Sequence, residues 1–104
     1  MKRLLLIIVC IVAYGCSWSI RKALIVGNTN YSDNPLTNSA NDASAIDKML
    51  KKVGFNTTLL LNLSKRSFDD AINAFSASLN DNDEAIFYYS GHGVQIDGEN
   101  YLIP

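Results

Sequence analysis

"RKALIVGN", residues 21–28, decides the fold class. Ala23 to Val26 run without a polar break and stop at Gly27. A strand with one wet face alternates apolar and polar positions, whereas a strand covered on both faces reads as a continuous apolar run. The stretch therefore predicts a short strand of a parallel sheet. The next residues support this. "NTNYSDNPLTN", residues 28–38, is a polar loop with Pro35 as its turn marker. Ala40, Ala43, Ile46, Leu50 and Val53 then recur at three- and four-residue steps, predicting a helix over about 39–53. Ser39 with Asp42 three residues on resembles a weak capping box, and Gly54 is placed as the C-cap.

The alternation continues. "FNTTLLLN", residues 55–62, reads as a second strand. Ser64 or Ser67 caps a second helix, whose apolar stripe is Phe68, Ile72, Phe75 and Leu79, with Asp69 and Asp70 near its positive end. "NDND", residues 80–83, turns into a third strand, Ala85 to Tyr89. "VQIDGENYLIP", residues 94–104, reads as a hairpin turning at Asp97-Gly98. The order β-α-β-α-β plus hairpin predicts an α/β fold with helices on both faces of the sheet. In such sheets ligands bind beyond the carboxyl ends of the strands. "GNTNY" and "SGHG" are both expected there, on one edge.

Composition bounds the rest. The chain has 104 residues, 48% hydrophobic and 18% charged, which fits one small globular domain. A net charge of -1 with no basic run speaks against nucleic acid as a partner. Lys2 and Arg3 precede an apolar run of 11 residues, Leu4 to Tyr14, short for a bilayer span and right for the core of an export signal. Ala13 and Gly15 form a small-x-small site before Cys16, which makes Cys16 a lipidation candidate in the manner of a bacterial lipobox, although Tyr14 departs from that pattern. A short uncleaved membrane anchor is the plainer alternative. Residues 1–19 are thus read as a signal peptide or lipoprotein signal and 20–104 as the domain, exported to the periplasm, secreted or lipid-anchored. Membrane contact is expected only through the signal or a lipid. Its removal leaves seven basic and ten acidic residues, a net charge of about -3, and no intrachain disulfide.

The chemistry concentrates in "FYYSGHG", residues 87–93, where the sole histidine, His92, stands between two glycines. Histidine titrates near neutrality and serves as general acid or base. Gly93 offers a backbone N–H for an oxyanion. The plainer reading is a loop histidine without a role. Asp42 reads either as a helix N-terminal charge or as a pocket carboxylate for a basic group. Ser90 lies too close to His92 along one strand for a nucleophile–base pair, and "YYSGHG" is not the G-x-S-x-G elbow. One histidine and no clustered cysteines argue against a metal site, and "GNTNYSDN" lacks a phosphate-loop spacing.

"YYSGHG" followed by "GENYLIP", with the segment from "KALIVGNTNY" to "NLSKRSF" ahead of them, resembles the first half of a caspase-like domain, nearest in pattern to bacterial caspase homologues and metacaspases. The likeness runs from about Lys22 to the end of the chain. It implies the N-terminal part of a three-layer caspase-like sandwich and cysteine endopeptidase chemistry on peptide or protein substrates. It also implies that His92 is the histidine of a Cys-His dyad and that the Gly93 N–H joins the oxyanion hole. Asp42 and Ser90 would line an S1 pocket suited to arginine or lysine, where true caspases take aspartate. No cofactor is implied beyond the calcium that some metacaspases need, whose ligands have no counterpart that can be placed here. The family's nucleophile follows the histidine by about 50 residues. Here 12 residues follow His92, and none is cysteine. The expectation is therefore a fragment, inactive alone, that needs a C-terminal half or a full-length relative as partner, and whose sheet edge beside the third strand is exposed. Two other readings stand beside it: a non-catalytic regulatory module of pseudo-protease type, and an α/β domain that holds a small anion.

Overall fold

The computed structural model describes residues 2–13, 20–29, 39–97 and 99–103. Cys16, the loop around Pro35 and Gly98 of the expected turn lie outside the described residues. The elements are β1 (Lys2–Ala13), β2 (Arg21–Gly27), α1 (Ser39–Lys52), β3 (Asn56–Leu61), α2 (Lys65–Ser78), β4 (Glu84–Ile96) and β5 (Glu99–Ile103). They form one sheet in the order β1-β4-β2-β3, with β5 also paired to β4. β2 runs parallel to β3 and β4, while β1 and β5 run antiparallel to β4.

Alternation along β2 sends successive side chains to opposite layers. Ala23 and Ile25 meet Ala43 and Leu50 of α1 together with Tyr88. Leu24 and Val26 meet Phe68 of α2, with Ile72, Phe75, Phe87 and Leu102 packed around them. Ile25 and Val26 are wholly buried, and each such side chain contributes roughly 1.5–3 kcal/mol by leaving water. Two helices on opposite faces of one sheet make the three-layer α/β arrangement expected from the sequence.

Local signals set the helix ends. Ser64 is the N-cap of α2, its side chain accepting from the Ser67 N–H at 3.2 Å. Gly54, at φ +94°, ends α1, and its N–H donates to the Lys51 carbonyl while Phe55 N–H donates to Leu50. Val53, expected on the buried stripe, falls past the last helical residue and is exposed. No helix among the described residues is long and apolar enough to cross a membrane.

Two differences from the sequence reading matter for the site. The third strand does not stop at Tyr89: β4 continues through Gly91-His92-Gly93 to Ile96. Strands on both sides keep it extended. β1 pairs along residues 84–95 and β5 along residues 92–96, so the glycines sit in ladders rather than in a turn. Second, the edge expected to lie bare is covered, because residues 2–13, read as an export signal, pair with it as β1. Ala13 and Arg21 are both opposite Glu84, so β1 ends and β2 begins beside the amino end of β4.

The amino end of the sheet is tied by charge. Lys22 Nζ meets buried Asp83 at 2.9 Å and also donates to the Ser78 carbonyl, joining β2, α2 and the start of β4. The Asn80 N–H holds the Asp83 carboxyl below its ordinary value, with Lys22 adding to it. The nearby Thr57 hydroxyl lowers that of buried Asp47, although Thr57 Oγ1 and Asp47 Oδ1 make no hydrogen bond of good geometry. The Lys51 ammonium, 3.1 Å from Asp47 Oδ2, adds to it against the cost of burial. Both carboxylates are more acidic in the fold than in the unfolded chain. Their contribution is therefore complete above the ordinary carboxylate pKa of about 4 and fades as pH falls through and below it. Thermal midpoints are expected to drop below about pH 4. Asp47→Asn and Asp83→Asn each lower the midpoint at neutral pH and flatten this acid limb. An unchanged slope in both variants would refute the assignment.

Candidate active site

The parallel strands end on a common edge, β2 at Gly27 and β3 at Leu61. β4 reaches that edge at Ser90, opposite Gly27, and the Asn28 N–H closes the last rung on the Ser90 carbonyl at 2.9 Å. Two asparagines then lock the loops above it. Asn28 Oδ1 accepts from the Leu63 N–H at 3.0 Å, and Asn62 Oδ1 accepts from the Thr29 N–H at 2.9 Å. Asn62 takes φ +56°, a left-handed conformation that asparagine tolerates better than most residues.

Gly27 lets α1 approach. A Cβ there would lie 2.8 Å from both Ala43 Cβ and the Ser39 carbonyl oxygen. The first turn of α1, with Ser39 and Asp42, is thereby seated against the carboxyl edge.

Alternation places Tyr88, Ser90 and His92 on the α1 face of β4, about 7 Å apart from one to the next. All three are buried, His92 at 7% exposure. Burial pushes the Tyr88 phenol up, and the nearby Asp42 carboxylate pushes it further. Asp42 itself is exposed. Ser90 Oγ lies close enough to that phenol to offset part of the rise, yet it makes no hydrogen bond of good geometry. A Ser90–His92 nucleophile pair is accordingly not formed. On the opposite face Tyr89 is fully buried, and its hydroxyl meets the carbonyls of His92 and Ile103, each at 2.9 Å. That phenol clamps the β4–β5 rung on which His92 sits.

Of the expected site residues, His92, Ser90 and Asp42 thus gather on one side of the sheet at its carboxyl edge. Gly93 does not project a free donor. The Glu84 N–H and the Ser90 carbonyl both face β2's side. Odd-numbered residues of β4 therefore turn their backbone groups toward β1. Gly93, opposite Leu4, directs its N–H into that ladder. Tyr88 was missed by the sequence reading, although its position two residues before Ser90 and four before His92 puts it on their face. Among the described residues, no group of three or more His, Cys, Asp or Glu side chains could hold a metal ion.

A family model described as the caspase domain matches residues 20–104. The chain is also similar to the human (Homo sapiens) mucosa-associated lymphoid tissue lymphoma translocation protein 1, at 29% identity over 83 residues, which cover 79% of this chain and 10% of that protein. The mouse (Mus musculus) homolog is 28% identical over 83 residues, with the same shares covered. The chain spans about a tenth of the length of these curated relatives. No solved structure matches it.

Proposed function

Since the chain belongs to the caspase-domain family, we propose that it supplies the histidine side of a Cys-His endopeptidase site, with the thiol brought from outside these 104 residues. The observation that carries this reading is the setting of His92, buried two residues beyond the parallel edge and on one face with Ser90 and Tyr88. His92 takes the proton from the incoming thiol, and the thiolate attacks the peptide carbonyl. His92 then returns the proton to the leaving amine, and water hydrolyses the acyl-enzyme. The Gly93 N–H steadies the oxyanion once its present rung is released. Asp42 and Ser90 line the pocket for the residue before the cleaved bond, and the carboxylate favours arginine or lysine there.

Among the described residues the chain's own thiol does not fit the role. Cys10 is opposite Phe87, five residues from His92 along β4, or about 17 Å. Cys16 precedes β2 and lies outside the described residues.

The test is co-expression with a candidate thiol-bearing C-terminal half, followed by assay on Arg, Lys and Asp peptides. Cleavage appears only with both halves. Proteolysis by the lone chain that survives His92→Ala would end this reading. Asp42→Asn lowers kcat/KM on Arg and Lys peptides by about tenfold or more, through loss of a charge-assisted contact. It leaves neutral substrates within about twofold, and an equal loss on all substrates would remove Asp42 from the pocket.

A further inference from the structure

We propose that β1 is an exchangeable guard strand: it occupies the β4 edge beside His92 and must leave before another strand can complete the site. The first observation is how β1 is held. It pairs with β4 over all 12 of its residues, yet among the described residues it has no extensive contact with any other element. Its α1-side residues Ile7 and Val9 are each 54% exposed, although their partners Ser90 and Tyr88 are buried. The α1 layer stops short of β1. Backbone hydrogen bonds replace bonds to water and contribute little net stability, so the half-exposed Ile7 and Val9 leave the α1 side of this strand weakly held. β2, with five buried residues in a row, is the contrast.

The second observation is what β1 occupies. Leu5 is opposite His92 and Leu4 is opposite Gly93. By the parity of β4, the Leu4–Gly93 pair exchanges both of its hydrogen bonds, so β1 consumes the donor that an oxyanion would need. β1 and β2 pair with opposite sides of β4, so β1 can peel away without disturbing any rung between β2 and β4. Its continuous apolar run shows that this edge accepts an apolar strand. The displacing strand is one of the same apolar character that carries the thiol; this part of the inference rests on the proposed peptidase reading.

The experiment uses the full chain with Arg3→Cys and Val94→Cys, and Cys10 and Cys16 replaced by serine. Arg3 and Val94 are opposite each other at the far end of β1. They form a non-hydrogen-bonded pair, whose Cα separation of about 4.5 Å allows a disulfide. In the reduced protein the Phe87 and Tyr89 amides, which face β1, exchange at least about tenfold faster than the Ile86 and Tyr88 amides, which face β2. Oxidation removes that gap. Equal exchange in the reduced protein would overturn the proposal. The thiol-bearing half then binds the reduced protein and loses about tenfold or more on oxidation; equal binding would also overturn it. Peptidase activity that depends on His92 and persists in the oxidised protein would sink the guard while sparing the peptidase reading. Lock-sensitive binding without any peptidase activity would sink the peptidase reading while sparing the guard.

Discussion

The His92→Ala variant of the reconstituted peptidase is expected to lose about 10³-fold in kcat/KM, within the range that a positioned general acid–base supplies. The loss comes in kcat more than in KM, because in the proposed mechanism the imidazole moves protons at the reacting centre and does not fill the specificity pocket. The fold survives the change. His92 belongs to neither apolar cluster, and the Tyr89 hydroxyl binds its backbone carbonyl, which alanine keeps. Circular dichroism and a thermal midpoint close to the parent's are the controls. His92→Gln, which fills the same space without a base of useful pKa, loses as much activity as alanine. Retention of activity within about tenfold of the parent would move the proton transfer to another group.

Gly27→Ala produces the largest structural penalty. The added Cβ meets Ala43 Cβ and the Ser39 carbonyl oxygen at 2.8 Å, and Leu61 Cδ2 at 3.3 Å. Leu61 can rotate, but the other two belong to the body of α1. The helix must back away from β2, at a cost of about 1–3 kcal/mol for overpacking. That is a large share of the roughly 5–15 kcal/mol that a domain holds in total. The same shift carries Ser39 and Asp42 off the carboxyl edge, so under the proposed function Arg/Lys selectivity falls together with stability. Ala43→Gly relieves one of the two close contacts. The pair therefore shows a favourable coupling energy in a double-mutant cycle of chemical denaturation. Additive losses would mean that α1 is not seated where the structure has it.

The layers were legible in the sequence because they rest on periodicity and on caps. The run Ala23 to Val26 became the buried heart of β2, and Phe68, Ile72 and Phe75 became the inner face of α2. Ser64 proved to be the cap between two candidates. Three features were illegible for separable reasons. The Gly-His-Gly stretch reads locally as a break, yet strands on both sides hold it extended, and its β1 partners, Leu4 to Leu6, lie far away in the sequence. The burial of Asp47 was not legible either, because nothing near it in sequence announces that the α1 face carrying it packs toward Thr57 of β3. Residues 2–13 carry one apolar run that fits both an export signal and a doubly covered strand, and hydropathy does not separate the two. At the site, the placement of His92, Ser90 and Asp42 at the carboxyl edge follows from topology, while their roles rest on the proposed function. The direction of the Gly93 N–H depends on parity along a strand whose length was misjudged.

β4 lies between β1 and β2 in space but is synthesised after both. β1 is complete at residue 13, and its first rung partner, Glu84, is 71 residues later. At about 5–20 residues per second, that leaves the apolar segment without its partner for roughly 4–14 s of translation. Over that interval the run has no β4 to pair with, so β1 joins the sheet only after the chain of β2 and β3 has been made. Synthesis slowed between residues 14 and 84 lengthens that wait with no change in the amino-acid sequence.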